Sequence, residues 1–283
     1  MSFVFICTMQ LAGPIGVFDS GYGGLTVYRE LVEILPEYDF IYLGDNARVP
    51  YGTRSYETVY KYTWQCTQQL FAQNCNLVIL ACNTASAKAL RSIQQHNLPE
   101  IQALKRVLGV IRPTAEVIGS ITGNNHVGVF ATEGTVKSES YRMEIGRFSP
   151  EIKVTQEACP MWVPLIEGGY ASSTWADYFV RENIDNLLKN DPEIDSIILG
   201  CTHYPLLEEK IRSFLPNEIN LVSQGGIVAN SLKDYMQRHP EIDALCAKNG
   251  HRKFFTTDDP AWFNEKAKQF LDLNIESKHI DLS

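Results

Sequence analysis

"SIILGCTHYPL", Ser196 to Leu206, is an apolar run closed by Gly200 and followed by Cys201, Thr202 and His203. "NLVILACNTASA", Asn76 to Ala87, has the same local grammar: an apolar run, then Cys82, Asn83 and Thr84, 119 positions earlier (201 − 82). A short apolar run bounded by turn residues reads as a buried strand. In open α/β sheets, ligands bind at the carboxyl ends of the strands. Both cysteines are therefore expected at strand ends, and if the two strands point at one cleft, the thiols face each other.

Outward from these runs, strands alternate with helices. "PIGVFDSG" (Pro14 to Gly21) reads as a strand, "LTVYRELVEILP" as a helix stopped by Pro36, "DFIYLGDN" as a strand, and "SYETVYKYTWQCTQQLFAQ" as a helix with Ser55 as N-cap. "NLVILACNT" is the third strand and "ASAKALRSIQQ" the third helix. The pattern then restarts. "HVGVFATEG" repeats Gly16-Val17-Phe18 as Gly128-Val129-Phe130, a helix near Thr135 carries Tyr141 and Arg142, "EIKVTQEACP" can be the second strand, and "SIILGCTHYPL" is the third. Alternation of this kind indicates a parallel sheet with helices on both faces. The twofold order Gly-Val-Phe then Cys predicts two similar Rossmann-like or flavodoxin-like α/β halves related by a pseudo-twofold, with the site between them. The tail adds a helix around Ile227 to Arg238, a strand "KFFTTDD" and a helix from about Ala261.

The bulk numbers narrow the partners. A chain of 283 residues with 45% hydrophobic and 20% charged residues suits one large or two ordinary globular domains. The net charge of −8, without a run of Lys or Arg, argues against nucleic acid. An anionic small molecule would then be held by local backbone N–H groups rather than by the overall field. Seven cysteines without CxxC pairs argue against a disulfide framework or zinc ribbon, so the cytoplasm is the expected setting. The apolar "FVFIC" near the N-terminus is too short and lacks the basic flank of a signal peptide. No apolar run approaches the ~18 residues of a membrane span, so no membrane partner is expected. A homodimer is kept as an expectation without an interface.

Two opposed thiols suit inversion of a carbon centre: one thiolate removes a proton and the other thiol delivers one to the opposite face. A thiol's pKa of ~8.5 falls near a helix N-terminus or a positive group, and each cysteine precedes an expected helix. A lone cysteine is more often a small buried apolar side chain; the matched pair favours chemistry. His203 can orient Cys201 or exchange its proton. Cys201-x-His203 lacks the second half of a zinc site, so no metal is expected. Asp19 is an N-cap or a site carboxylate, with neither favoured. The Gly21-Tyr22-Gly23-Gly24 turn can expose N–H groups to an anion but makes a weak dinucleotide fingerprint. "VPYGTR" reads alone as a surface turn, and Glu167 in "VPLIEGG" alone as a solvated carboxylate.

Together "GVFDSGYGGLTV", "YLGDNARVPYG", "ACNTASA", "ATEGTVKSESY" and "GCTHYPLL", with "FTTDDPAWF" near the C-terminus, resemble the glutamate racemases of the cofactor-independent aspartate/glutamate racemase superfamily. The resemblance implies interconversion of L- and D-glutamate for peptidoglycan synthesis, with no cofactor. It implies Cys82 and Cys201 as the acid/base pair, Asp19 assisting Cys82, and His203 and Glu167 assisting on the Cys201 side. It implies substrate binding by Asp19, Ser20, Tyr51, Gly52, Asn83, Thr84, Thr202 and His203, with Thr132 and Thr135 nearby. It also implies a discontinuous first domain, residues 1–109 plus 223–283, around a second, 110–222. Two departures stand out. Ser223-Gln224 replaces a pattern that often carries Asp, which bears on the helix cap or hinge there, and Arg112 stands where a small or acidic residue is expected. A racemase of aspartate or of another amino acid in the same superfamily, or a non-catalytic binding protein or inhibitor on the same fold, stays open at this level.

Overall fold

The structure, a computed structural model, describes residues 11–101 and 104–282; the apolar run at 3–7 lies outside them. Among the described residues, ten strands form two sheets with every pairing parallel. The strands are β1 (Ile15–Asp19), β2 (Phe40–Gly44), β3 (Leu77–Leu80), β4 (Arg106–Gly109), β5 (His126–Ala131), β6 (Lys153–Ala158), β7 (Ser196–Gly200), β8 (Asn220–Val222), β9 (Arg252–Thr256) and β10 (Ser277–His279). One sheet runs β10-β9-β2-β1-β3-β4 and the other β6-β5-β7-β8. The run β2-β1-β3-β4 thus recurs as β6-β5-β7-β8, which is the repeat read from the sequence.

The register repeats as well. Phe18 pairs with Leu80 and Phe130 with Leu199, so each cysteine lies two residues past the partner of the repeated Phe. Two helices match across the halves: α2, which is Tyr56–Ala72 and follows α1 (Leu25–Ile34), and the helix Thr174–Asn190. Both are 17 residues long and start on a serine whose hydroxyl accepts a backbone N–H, Ser55 from Thr58 as expected and Ser173 from Ala176. Each drops a leucine onto the repeated glycine: a Cβ on Gly16 would lie 3.1 Å from Leu70, and one on Gly128 2.8 Å from Leu187. The shared glycine thus lets a helix seat close on a central strand in each half.

Alternate residues of β1 serve opposite layers. Ile15 and Val17 join the core with Leu25, Leu31 and Tyr42, and Phe18 joins Ile41, Leu43 and Leu70 on the other face. Burying a side chain of this size stabilises the fold by roughly 1.5–3 kcal/mol. The helix Ile111–Ile121 places Ala115 and Ile118 against Val127 and Val129 of the second sheet. The helix Gly225–Arg238 returns Val228 and Leu232 to the first. The chain thus crosses between the sheets twice, after β4 and after β8.

Several local expectations need correction. The third helix starts earlier, as α3 (Asn83–Lys88), and continues irregularly through a π turn at Ile93–Asn97. The helix expected near Thr135 is two pieces, Glu133–Lys137 and Ser140–Phe148, split where Glu139 takes a left-handed φ of 57°. The short strands β4, β8 and β10 and the helices Ile111–Ile121 and Thr174–Asn190 add to the elements expected from the sequence. Among the described residues no helix is long and apolar enough to cross a membrane.

Candidate active site

The first sheet supplies Asp19 and Ser20 at the end of β1 and Cys82 just past β3, either side of the point where strand order reverses. This is where doubly wound folds bind ligands. Ser20 Oγ lies 3.4 Å from Cys82 Sγ. Cys82 is also the N-cap of α3, its sulfur accepting the Ala85 N–H at 3.4 Å. The expected lowering of this thiol does not prevail. Burial, then the nearby Asp19 charge, push it up to about 12, against smaller opposing hydrogen bonds from Ser20 and Ala85. Asp19 is fully buried, and burial raises its carboxyl above the usual carboxylate range despite the pull of His203.

The second sheet supplies Cys201, Thr202 and His203 past β7. No α-helix starts at Cys201. A 3-10 turn, Tyr204–Leu207, follows instead, so the predicted full helix dipole is missing there. His203 takes over as the local charged group. Its Nδ1 lies 3.8 Å from Cys201 Sγ and its Nε2 2.9 Å from Glu167 Oε1. Burial pulls the imidazole down, but hydrogen bonds and charges from Cys201 and Glu167 together hold it well above its ordinary value. Glu167 ends the helix Trp162–Glu167, and its main-chain carbonyl accepts from Lys266 Nζ at 3.0 Å. The carboxylate that looks solvated in the sequence is thus tied to the site.

The two halves close directly on one another at these strand ends. Thr202 Oγ1 donates to Asp19 Oδ1 at 3.4 Å, and Thr26 Oγ1 donates to the Thr202 carbonyl at 3.0 Å. Gly23 is needed at this seam: a Cβ there would sit 2.4 Å from His203 Nδ1 and 2.5 Å from Thr202 Oγ1. The hydroxyl of Thr84 is 2.9 Å from that of Thr132 and 3.4 Å from that of Thr135, and Gly134 N donates to Gly52 O at 2.9 Å. The two thiols are near enough for charge on Cys201 to bear on Cys82.

Two expected binding groups are committed elsewhere. The Tyr51 ring is buried beside Phe18 and its hydroxyl donates to Asp45, which leaves its backbone for a ligand. The Gly21 N–H, expected to face an anion, donates to Asp19 Oδ2 at 2.9 Å. Asp45 also accepts from Arg48 Nε at 2.7 Å and Thr257 Oγ1 at 2.9 Å, so it pins the loop bearing Tyr51 and Gly52. Gln224 makes no cap bond at the start of its helix but reaches Asn83, and Tyr141 reaches the same side chain. The roles of Thr26, Tyr141 and Gln224 are not legible in the sequence because the partners that define them, Thr202 and Asn83, are distant in the chain, and Asp45 joins its near neighbours Arg48 and Tyr51 to the equally distant Thr257. Arg112, the other departure, is exposed and pairs with Glu116 at 2.8 Å.

Fold and site define an α/β protein of two like halves with a thiol from each past the strand ends where the halves meet. The sequence pattern of the Asp/Glu/Hydantoin racemase family matches residues 15–230. The glutamate racemase of Geobacter metallireducens is 40% identical over 258 residues, covering 91% of this chain and 92% of that one. Two solved structures are also similar, each 34% identical and covering 95% of this chain and 98% of the other. One is a glutamate racemase isoform from Bacillus anthracis, with a TM-score of 0.86. The other is the glutamate racemase of Francisella tularensis in complex with D-glutamate, with a TM-score of 0.84. The chain belongs to the Asp/Glu/Hydantoin racemase family and is an isomerase, a racemase of amino-acid type.

Proposed function

We propose that the protein interconverts L- and D-glutamate by two-base proton transfer between Cys82 and Cys201, providing D-glutamate for peptidoglycan. The observation that carries the reading is the pair of thiols at equivalent register on two like sheets, each with its own polar partner. One thiolate takes the Cα hydrogen as a proton, the bonding electrons stay on the carbon–carboxylate unit, and the opposite thiol returns a proton to the other face. Nothing is oxidised or reduced. Cys82, pushed up to about 12 by burial, suits the thiol that delivers. His203, backed by Glu167, suits the return of a proton to Cys201. Asp19 sits beside the Cys82 side as its assistant.

The substrate carboxylates belong with hydroxyls and N–H groups of Ser20, Asn83, Thr84 and Thr202 and the backbone at Tyr51 and Gly52; such donors cost little reorganisation. Glutamate rather than a smaller acid is supported by the relatives' names and by the D-glutamate held in the Francisella tularensis structure. The crossings after β4 and β8 support two domains, 1–109 with 223–283 and 110–222. A cytoplasmic setting accords with the described cysteines being free thiols.

The test is racemisation of L-glutamate in heavy water, followed by circular dichroism and proton NMR. Product should carry deuterium at Cα from the first turnover, while remaining substrate stays mostly protonated. Cys82→Ser and Cys201→Ser should each abolish racemisation. Each should retain elimination from only one enantiomer of a substrate with a good leaving group, with opposite preference. Near-normal racemisation by either variant, or a shared preference, overturns the paired-thiol assignment.

A further inference from the structure

Asn83 opens α3 beside Cys82, and its side-chain amide is held from both sides. Tyr141 Oη donates to Asn83 Oδ1 at 2.6 Å, and Asn83 Nδ2 donates to Gln224 Oε1 at 2.9 Å. Gln224 is 4% exposed, and its own amide nitrogen donates to the Val110 carbonyl at 3.2 Å and to Thr114 Oγ1 at 2.9 Å. Val110 lies on the outgoing crossing between the sheets and Gln224 on the returning one. One buried side chain therefore joins both crossings to a residue of the site.

The polarity of this chain is dictated from one end. A backbone carbonyl can only accept, so the Gln224 nitrogen must face Val110. Its oxygen then faces Asn83, which must present its own nitrogen, and the Asn83 oxygen is left for the Tyr141 hydroxyl. A flipped Asn83 would set its oxygen against that of Gln224 in a buried place, where an unmet acceptor is costly. The Asn83 nitrogen carries two hydrogens and Gln224 takes one, so the orientation that Gln224 imposes decides where the other is offered. Cys82 beside it gives that position its use.

We propose that Gln224 is a positioning residue for the racemase reaction: it holds the Asn83 amide in the one orientation that offers N–H to a substrate carboxylate, and ties that orientation to the two inter-sheet crossings. The inference rests on the racemase reading above, so the unsubstituted protein is assayed first. No exchange of the Cα hydrogen with either enantiomer overturns that reading and this inference with it.

With exchange established, kcat and KM for L-glutamate are measured for Gln224→Met, Asn83→Ala and the double variant, with Tm as the check on folding. Gln224→Met keeps the volume and removes the amide. It should lower kcat/KM about tenfold, chiefly through a higher KM, and should change it less than twofold further in the Asn83→Ala background. Unchanged kcat/KM, or losses that multiply independently in the double variant, overturn the proposal and leave the racemase reading intact. If Gln224→Met does not fold, Tyr141→Phe is judged by the same cycle. It removes the hydrogen bond at the other end of Asn83, and the same non-additive rise in KM is expected; additive losses again overturn the proposal.

Discussion

His203 shows how one side chain takes its chemistry from its neighbours. Alone it is a common histidine; between Cys201 and Glu167 it is held well above its ordinary pKa against the opposing effect of burial. Removing the Glu167 charge takes away one of the influences that raise it, so the proton leaves His203 at lower pH. Glu167→Gln should therefore move the alkaline limb of the kcat/KM profile to lower pH and reduce kcat/KM by less than the roughly 10²–10⁴-fold that acid–base catalysis as a whole contributes, because His203 itself remains. The two enantiomers have equal free energy, so kcat/KM must fall equally from either side; unequal loss would signal an assay artefact. An unmoved limb would mean that Glu167 only packs. The linked stability term has the same sign: it is full below the ordinary imidazole value and is lost as pH rises through the raised one.

At the scale of elements, the repeat is held by helix-on-strand contacts as well as by strand pairing. A Cβ at Gly128 would come within 2.8 Å of Leu187 and 3.1 Å of Ile197, both buried. Gly128→Ala should therefore cost about 1–3 kcal/mol, as overpacking does. Gly146 is the control. It lies inside the helix Ser140–Phe148, and a Cβ there would meet nothing within 4 Å. Gly146→Ala should stabilise by about 0.5–1 kcal/mol, the helix preference of Ala over Gly. Urea midpoints at constant m-value give both numbers. If the two substitutions shift the midpoint alike, close packing is not why glycine stands in the repeated Gly-Val-Phe.

For the whole molecule, the C-terminal segment must return to the first sheet, and Asp39 secures the return. Its carboxylate accepts from the Asn249 N–H, the Asn249 side-chain amide and the His251 N–H, each at 2.9 Å. Burial raises its pKa, but these hydrogen bonds outweigh burial and hold it below the usual carboxylate value. A depressed carboxyl contributes stability that is present above its unfolded value and is lost as pH falls through the folded one. Asp39→Ala should lower stability at neutral pH by about 2–3 kcal/mol, in line with hydrogen bonds to a charged group. The deficit should shrink as the pH drops below ~4. Hydrogen exchange should show β9 and β10 loosened most. An unchanged acid profile, or loosening spread evenly over both sheets, would remove Asp39 from this role.

Chain-local features determined much of this molecule. Apolar runs ending in turn residues marked the strands that carry Cys82 and Cys201, the serine at Ser55 marked a helix start, and the repeated Gly-Val-Phe marked two halves, because strand burial, capping and close packing each leave a signature within a few residues. Short edge strands leave none. The three residues of β8 pair with β7 by register alone. Pairings between distant positions were equally hidden. Glu167 meets His203 across 36 positions, Thr257 meets Asp45 across 212, and Gln224 meets Asn83 across 141. The expected lowering of Cys82 failed for the same reason. A helix N-terminus can be read from local sequence, but the burial that outweighs it, and the Asp19 charge that the neighbouring strand brings beside the thiol, exist only in the folded structure.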